Sequence, residues 1–222
     1  MNLPDGLLGM GWAIFGALAY LLIISWALFT APWAKVRGDI GAQGVFMVAV
    51  LVIVVLWQLN ASINPGISFH FLLMTVFTLM FGPQFAILAM SLALLFVTFN
   101  GDAGWTMFGL NALIMGWIPI MLTWWLYKLA YRFLDRNFFV YVFLNGFFAA
   151  GFGALVSLVI AGLVMLFGGA YTADYLAYNF FPFIPLVAAP EAFLNGFIIA
   201  ALVVMKPEWV ATFSDVDYLK GK

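Results

Sequence analysis

Long segments without charged residues dominate the chain, and this pattern predicts membrane-spanning helices. The segments are 6–34, 40–101, 103–127 and 137–173, and from 175 to 205 the only charge is Glu191. A helix needs about 20 apolar residues to cross a bilayer, so the longest segment must contain several spans. Turn-forming residues divide it at Asn60–Pro65–Gly66 and again at Gly82–Pro83.

The pattern therefore predicts an all-α polytopic membrane protein with about seven transmembrane helices. The predicted helices are 9–31, 43–60, 69–81, 84–99, 106–133, 138–167 and 183–205. The third is short, and we expect it to be helical only where it contacts protein rather than lipid. Residues 1–205 form a single transmembrane domain that begins with an extracytoplasmic cap segment at 1–8. Residues 206–222 form a cytoplasmic tail.

The basic residues predict the orientation of the helices. They are Lys35 and Arg37 in one loop, Lys128, Arg132 and Arg136 in another, and Lys206, Lys220 and Lys222 in the tail. With the N-terminus outside the cytoplasm, all of them fall on the cytoplasmic side, as the positive-inside rule requires. We therefore expect a multi-pass protein of a bacterial or archaeal cytoplasmic (inner) membrane. The opening residues lack the basic region of a signal peptide, so they are expected to be retained with a free α-amine.

Composition removes several classes of function. The chain is 67% hydrophobic and 8% charged, whereas soluble domains are about a quarter charged. It has no cysteine and one histidine, which excludes disulfides, thiolate metal sites and iron–sulfur clusters. No Lys/Arg patch favours nucleic acid, and no phosphate-binding loop provides an ATP site in this chain. With so few nucleophiles and bases, the protein is not expected to be an enzyme.

The single histidine, His70, is the strongest candidate for chemistry. It is either hydrogen-bonded inside the bundle or a metal ligand, because neutral imidazole is the commonest such ligand. The same side of the membrane offers the α-amine of Met1, the amide and side chain of Asn2, and the polar groups of Asp5, Asn60 and Ser68. An amine, an amide nitrogen and an imidazole form a flat, nitrogen-rich set that favours Ni(II) or Cu(II).

Several short elements resemble, in the same order, the substrate-binding membrane subunit of cobalt/nickel energy-coupling-factor ABC transporters, the CbiM/NikM-type permease family. They are Met1-Asn2-Leu3-Pro4-Asp5-Gly6, Trp57-Gln58-Leu59-Asn60, Gly66-Ile67-Ser68-Phe69-His70, Phe81-Gly82-Pro83, Asn100-Gly101-Asp102-Ala103-Gly104, Phe108-Gly109-Leu110-Asn111 with Met115-Gly116, and Pro190-Glu191 with Asn195-Gly196. The resemblance extends over most of the chain. It implies that the N-terminal segment inserts into the bundle, and that a divalent transition metal is the transported substrate.

The same resemblance implies the ligands and the partners. Met1 and His70 match the family's metal-binding positions, whereas Asn2 stands where the family has a histidine. An amide oxygen is a poorer donor than imidazole for Ni(II) or Co(II). The chain therefore binds a different metal, binds the same metal more weakly, or keeps the fold as a structural or assembly partner without transport. Transmembrane coupling and ATPase subunits are the implied partners, within the lipid bilayer.

The remaining polar candidates have two interpretations each. Asp5 is favoured as a capping and turn residue, and would otherwise orient the α-amine or the imidazole through a hydrogen bond. Asn60 and Ser68 either orient ligands or are polar groups that find a hydrogen-bond partner inside the bundle without any metal. Glu191 is favoured as a first-turn residue of a helix that begins at Pro190. If it is buried instead, proton coupling becomes the alternative.

Small residues spaced by four line one side of the first predicted helix. They are Gly9, Ala13 and Ala17. Such spacing allows another helix to approach closely. The partner is either a helix of the same chain or, as the resemblance implies, the transmembrane coupling protein.

Overall fold

The structure, a computed structural model, describes residues 2–219. The predictions for Met1, Lys220 and Lys222 therefore lie outside the described residues. The helices are α1 (Met10–Thr30), α2 (Ile40–Gln58), α3 (Met74–Phe99), α4 (Phe108–Phe133), α5 (Phe138–Phe167), α6 (Ala173–Asn179), α7 (Ile184–Met205) and α8 (Asp215–Tyr218). Single 3₁₀ turns lie at Trp33–Lys35, Phe181–Phe183 and Pro207–Trp209. The chain is thus an all-α polytopic membrane protein.

A short hairpin separates α2 from α3. Its strands, β1 (Ala61–Asn64) and β2 (Ile67–Phe69), pair antiparallel. The turn between them contains Gly66, whose φ of +78° is accessible to glycine but strained for other residues. This hairpin carries Ser68 and places it directly before His70.

The predicted third and fourth helices are two parts of α3. Within residues 2–219, six helical segments are long and apolar enough to cross a membrane, and one of them, α3, contains both predicted helices, joined across a kink. The break between the two parts lies at Gly82, which has a φ of +81° and is followed by Pro83. The first part begins at Met74 rather than at residue 69, because β2 occupies residues 67–69 and Leu73 adopts a left-handed φ of +58°.

Contacts of the second part of α3 show that it spans the bundle from the end of α1 to the end of α2. Gln84 Nε2 donates to Thr30 Oγ1 at the end of α1, whereas Asn100 Nδ2 donates to Gln58 Oε1 at the opposite end of the bundle. The part before Gly82 is almost entirely buried. This first part of α3 is therefore helical where it contacts protein, as the sequence predicted for the short third helix.

The tail after α7 folds back onto this buried part of α3. The amides of Ala211 and Thr212 donate to the carbonyls of Met80 and Leu79, at 3.0 and 3.2 Å. Those carbonyls stand at the end of the first part of α3, where the break at Gly82 removes their helical donors. The tail therefore caps a helix to which it is not adjacent in sequence.

Helices α1 and α4 are in backbone contact. A methyl group added to Gly16 would lie 2.6 Å from Leu110 N, and one added to Gly109 would overlap the Gly16 carbonyl. The predicted stripe of small residues is divided by this packing, because Ala13 is buried while Gly9 and Ala17 are exposed. Ala13 is thus used for intramolecular packing.

The interpretation of Glu191 as a first-turn residue is wrong. Helix α7 begins at Ile184, and Pro185 takes the position near the helix start that proline favours. Pro190 therefore lies inside the helix, and Glu191 is only 3% exposed. Its carboxylate lies in the bundle interior and accepts hydrogen bonds from the start of α3.

Candidate metal centre

The N-terminal segment is buried in the bundle and hydrogen-bonded to it. Leu3, which is 1% exposed, donates its N–H to Asn111 Oδ1 at 2.9 Å, and its carbonyl accepts from Asn111 Nδ2 at 3.0 Å. The Gly104 amide donates to the same carbonyl at 3.0 Å. Both backbone polar groups of Leu3 are thus satisfied by residues more than a hundred positions away, as burial requires.

Asp5 fastens this segment to the loop before α4. Its carboxylate accepts from the amides of Trp105 and Thr106, at 3.2 and 2.7 Å, and from the Thr106 hydroxyl. The Thr106 hydroxyl is the main reason that the pKa of Asp5 lies below its usual value, with the two amides adding to it. The described hydrogen bonds of the Asp5 carboxylate therefore go to a loop remote in sequence, and not to its own turn. Among the described contacts Asp5 has none with His70.

Asn2 lies next to the hairpin that carries His70. Its backbone N–H donates to Ser68 Oγ at 3.0 Å, and Asn2 is 6% exposed. The Oδ1 atom of its side chain is buried and accepts no hydrogen bond from the described residues. The structure thus brings Asn2, Ser68 and the His70 segment together, although they are far apart in sequence.

One ring nitrogen of His70 is buried and has no hydrogen-bond partner among residues 2–219. Its Nδ1 lies 3.3 Å from the Phe71 carbonyl, a contact that assigns the proton to Nδ1. Burial lowers the pKa of the imidazole well below its usual value, so the ring is neutral. The other nitrogen, Nε2, is buried without a partner among residues 2–219. A neutral imidazole whose Nδ1–H is held by a carbonyl is the arrangement that metal-binding histidines use.

Two further buried polar atoms, on Trp57 and Gln58, are donors. Trp57 packs with its ring centroid 5.0 Å from that of His70, and its Nε1 is unpartnered within the described part of the chain, as is Gln58 Nε2. An N–H group has no lone pair to give to a cation, so neither atom is a metal ligand. The Asn60 side chain donates a long 3.5 Å hydrogen bond to the Gln58 carbonyl, and no described hydrogen bond joins it to Asn2 or His70.

The atoms that could bind a cation at this site are not a cluster of His, Cys, Asp or Glu side chains. Across residues 2–219 no group of three His, Cys, Asp or Glu residues could hold an ion. A cation here would depend on nitrogen and oxygen atoms of the chain start, together with His70 Nε2. The α-amine of Met1 lies outside the described residues and remains a prediction.

Sequence reasoning missed the residues that anchor the N-terminal segment. Asn111 and Gly104 lie within the elements that carried the family resemblance, but neither was assigned a role there. A detectable signal for Asn111 was an uncharged polar side chain in an otherwise apolar span, which must find a partner inside a bundle. Gly104 gave no comparable signal, because its need for glycine arises from the folded N-terminal segment: a methyl group added there would overlap Asp5 N and lie 2.7 Å from Asp5 Oδ1.

Comparisons with known proteins agree with this fold. The family model described as CbiM, cobalt uptake substrate-specific transmembrane region, matches residues 2–209. A structure titled "Crystal Structure of an Truncated Transition metal Transporter" superposes with a TM-score of 0.70 at 20% identity, covering 92% of this chain and 99% of that one. A second, "Crystal Structure of an transition metal transporter", gives 0.68 at 21% identity, covering 91% and 92%.

At these identities the two structures establish the likeness of fold alone. A comparison with curated protein sequences found no match. The family model, by contrast, extends over nearly the whole chain, from the buried N-terminal segment to the tail after α7. The protein therefore belongs to the CbiM family of cobalt uptake substrate-specific transmembrane regions, and it is a transport protein rather than an enzyme.

Proposed function

We propose that this protein binds a divalent transition metal of the cobalt or nickel kind at its N-terminal site and delivers it for uptake. The observation that carries the proposal is the burial of the chain start beside His70, fixed by the hydrogen bond from Asn2 to Ser68. A structural role alone would not leave His70 Nε2 and Asn2 Oδ1 both buried and unpartnered within the described residues, because such atoms are costly. A bound cation would satisfy both.

The proposed ligands are the Met1 α-amine, Asn2 and His70 Nε2. Asn2 supplies an amide oxygen where an imidazole would supply nitrogen, so the set mixes nitrogen and oxygen donors. Cobalt and nickel both bind such sets, more weakly than all-nitrogen ones. We therefore expect weaker binding than a second histidine would give. Ser68 orients Asn2, and Asp5 holds the chain start in place from the loop before α4.

Transport by this chain requires an energy source from elsewhere, because the sequence contains no ATP site. We propose that coupling and ATPase subunits of an energy-coupling-factor ABC transporter supply it, in a bacterial or archaeal inner membrane, with the N-terminus outside and the tail in the cytoplasm. Gly9 and Ala17 are exposed on α1 and form the proposed docking face. The alternative of a structural partner without transport is not favoured by membership of an uptake family.

Metal analysis of the purified protein tests this function. Wild type, His70→Ala and a variant with residues added before Met1 are compared for bound cobalt and nickel, and by calorimetric titration with each ion. We expect binding by wild type and its loss in both variants, because one removes a ligand and the other removes the free amine. Thr98→Val, which alters a buried hydroxyl bonded within α3, is the control and should bind as wild type does. Equal metal content in all four proteins would refute the site.

A further inference from the structure

Glu191 is a buried carboxylate that the proposed metal site does not use directly. Its Oε2 accepts the Leu72 amide at 2.9 Å, and its Oε1 accepts the Leu73 amide at 2.7 Å. Asn195 Nδ2, one turn further along α7, donates to the same Oε1 at 2.9 Å. Every described hydrogen bond of this carboxylate is therefore donated to it. A protonated carboxyl would need an acceptor for its own proton.

These contacts cap the start of α3 from another helix. The amides at a helix start have no partner within the helix, and the helix dipole favours negative charge there. Leu73, the residue at the start, has a left-handed φ of +58° and no side-chain cap of its own. Glu191 supplies an acceptor for the Leu73 amide, while Asn195 Oδ1 accepts the amide of Val76, in the first turn of α3, at 3.1 Å.

One face of α7 packs along the segment that leads from His70 into α3. Val187, Glu191 and Asn195 are spaced by four and so share that face. Val187 lines a small cavity together with His70 and Leu72. Glu191 and Asn195 hold the amides that follow. The His70 imidazole therefore precedes by two residues a backbone segment whose position depends on a carboxylate of α7.

We propose that Glu191, assisted by Asn195, is a positioning residue that holds the His70 segment where its Nε2 can bind the transported metal. The metal part of this inference rests on the proposed function. The positional part concerns residues 70–76 and is measurable without metal. Loss of the carboxylate frees the left-handed turn at Leu73, and the imidazole then leaves its buried position. Outer groups that orient a metal-bound histidine have this kind of effect on affinity.

The first measurement uses the fact that His70 is the only histidine of the chain. Diethyl pyrocarbonate acylates accessible neutral imidazole, and mass spectrometry of the peptide that contains His70 gives the rate for the metal-free full-length protein. His70 is 7% exposed, so wild type should react slowly. In Glu191→Gln one acceptor oxygen becomes an amide NH2 group, which is a donor, so the Leu72 and Leu73 amides no longer each face an acceptor oxygen. We expect its His70 to react about tenfold faster or more, because the reaction rate follows the population of locally opened protein.

The second measurement is nickel or cobalt affinity of the same proteins, by calorimetric titration. We expect Glu191→Gln to bind the ion about 10- to 100-fold more weakly than wild type. The matched control is Thr123→Val, since Thr123 is buried and its hydroxyl contacts Thr75 at 2.7 Å in the same part of α3. It removes a buried hydrogen bond without touching the amides at the helix start. Its His70 reactivity and metal affinity should remain those of wild type.

The outcomes separate the two proposals. Unchanged His70 reactivity in Glu191→Gln, or equal acceleration in Thr123→Val, overturns the positioning role. Wild type that binds neither ion refutes the proposed function and with it the metal part of this inference. Wild type that binds while Glu191→Gln binds equally well overturns the positioning role alone. Should Glu191→Gln fail to fold, Asn195→Leu provides the same test, because it removes the Val76 acceptor and one donor to the carboxylate.

Discussion

Leu3 and Asn111 form a reciprocal pair of hydrogen bonds, in which the backbone N–H and carbonyl of Leu3 face the two ends of the Asn111 side-chain amide at 2.9 and 3.0 Å. The geometry imitates one rung of a β-ladder inside a helical bundle. Asn111 is completely buried, so breaking the pair would leave Leu3 with unsatisfied backbone groups away from water. One side chain of α4 therefore determines whether the chain start remains in the bundle.

Replacement of Asn111 by leucine should release the N-terminal segment. The apolar side chain has a similar volume but satisfies neither group of Leu3, and an unsatisfied buried group costs about 1–3 kcal/mol. We expect a lower unfolding temperature in detergent and at least about a tenfold loss of nickel or cobalt affinity, as about 1.4 kcal/mol corresponds to tenfold. Hydrogen–deuterium exchange of residues 2–8 should also increase.

Asn145→Leu is the matched control for that change. Asn145 is as deeply buried, at 1% exposure, but it lies on α5 and no described hydrogen bond joins it to the chain start. It should change stability without changing exchange at residues 2–8. If Asn111→Leu kept wild-type exchange there, the hydrogen-bonded pair would not be what holds the segment.

Gly104 should tolerate no side chain, because the N-terminal segment passes directly over it. A methyl group there would overlap Asp5 N and lie 2.7 Å from Asp5 Oδ1. Since the overlap is with backbone, a rotamer change cannot relieve it, and overpacking of this kind costs about 1–3 kcal/mol. We expect Gly104→Ala to lower the unfolding temperature and the metal affinity together. Gly44→Ala, on α2 with open space around it, should alter neither by a comparable amount.

The pH dependence of stability should report the anchoring of Asp5. Its pKa is lowered in the folded protein, first by the Thr106 hydroxyl and then by the Thr106 amide. A depressed carboxyl pKa stabilises the fold above the unfolded value of about 3.9, and this contribution is lost as pH falls through the folded value. The difference in unfolding temperature between wild type and Asp5→Asn should therefore be present at neutral pH and vanish in acid. A constant difference across that range would contradict the anchoring.

The sequence predicted the class of fold well because a long run of residues without charges is the physical requirement for a helix that crosses a bilayer. It predicted the division at Gly82-Pro83, where the structure has the break between the two parts of α3. It could not predict that Glu191 is buried inside a helix, because the position of Glu191 depends on whether the last helix begins near Pro185 or at Pro190. Periodicity does not distinguish the two prolines. The deciding contacts, with the amides of Leu72 and Leu73, come from a segment remote in sequence.

The candidate site shows the same division. His70 and Asn2 were predicted from chemistry and resemblance, since a lone imidazole and a polar chain start are visible in the sequence, and the structure buries both. The anchors were not found, because Asn111 and Thr106 act through backbone groups of Leu3 and through Asp5, and such contacts leave no spacing pattern. Asn60 was assigned near the ligands from its position at the end of α2, but its side chain faces the Gln58 carbonyl.

Restoring an imidazole at the second residue should strengthen metal binding. Asn2 is 6% exposed and its amide is held by Ser68, so a side chain at this position starts from a fixed backbone beside His70. In Asn2→His a nitrogen donor replaces an oxygen donor, and nickel and cobalt bind imidazole well. We expect nickel affinity to increase by about tenfold or more, equivalent to about 1.4 kcal/mol.

The control for this gain is Asn2→Gln, which keeps an amide and adds length without adding an imidazole. Its affinity should not exceed that of wild type. A double variant, Asn2→His with His70→Ala, separates a shared site from an independent one, because two ligands of one ion are strongly coupled. If Asn2→His gained nickel affinity and kept that gain without His70, the two residues would not bind the same cation. The buried chain start beside the imidazole would then have another purpose.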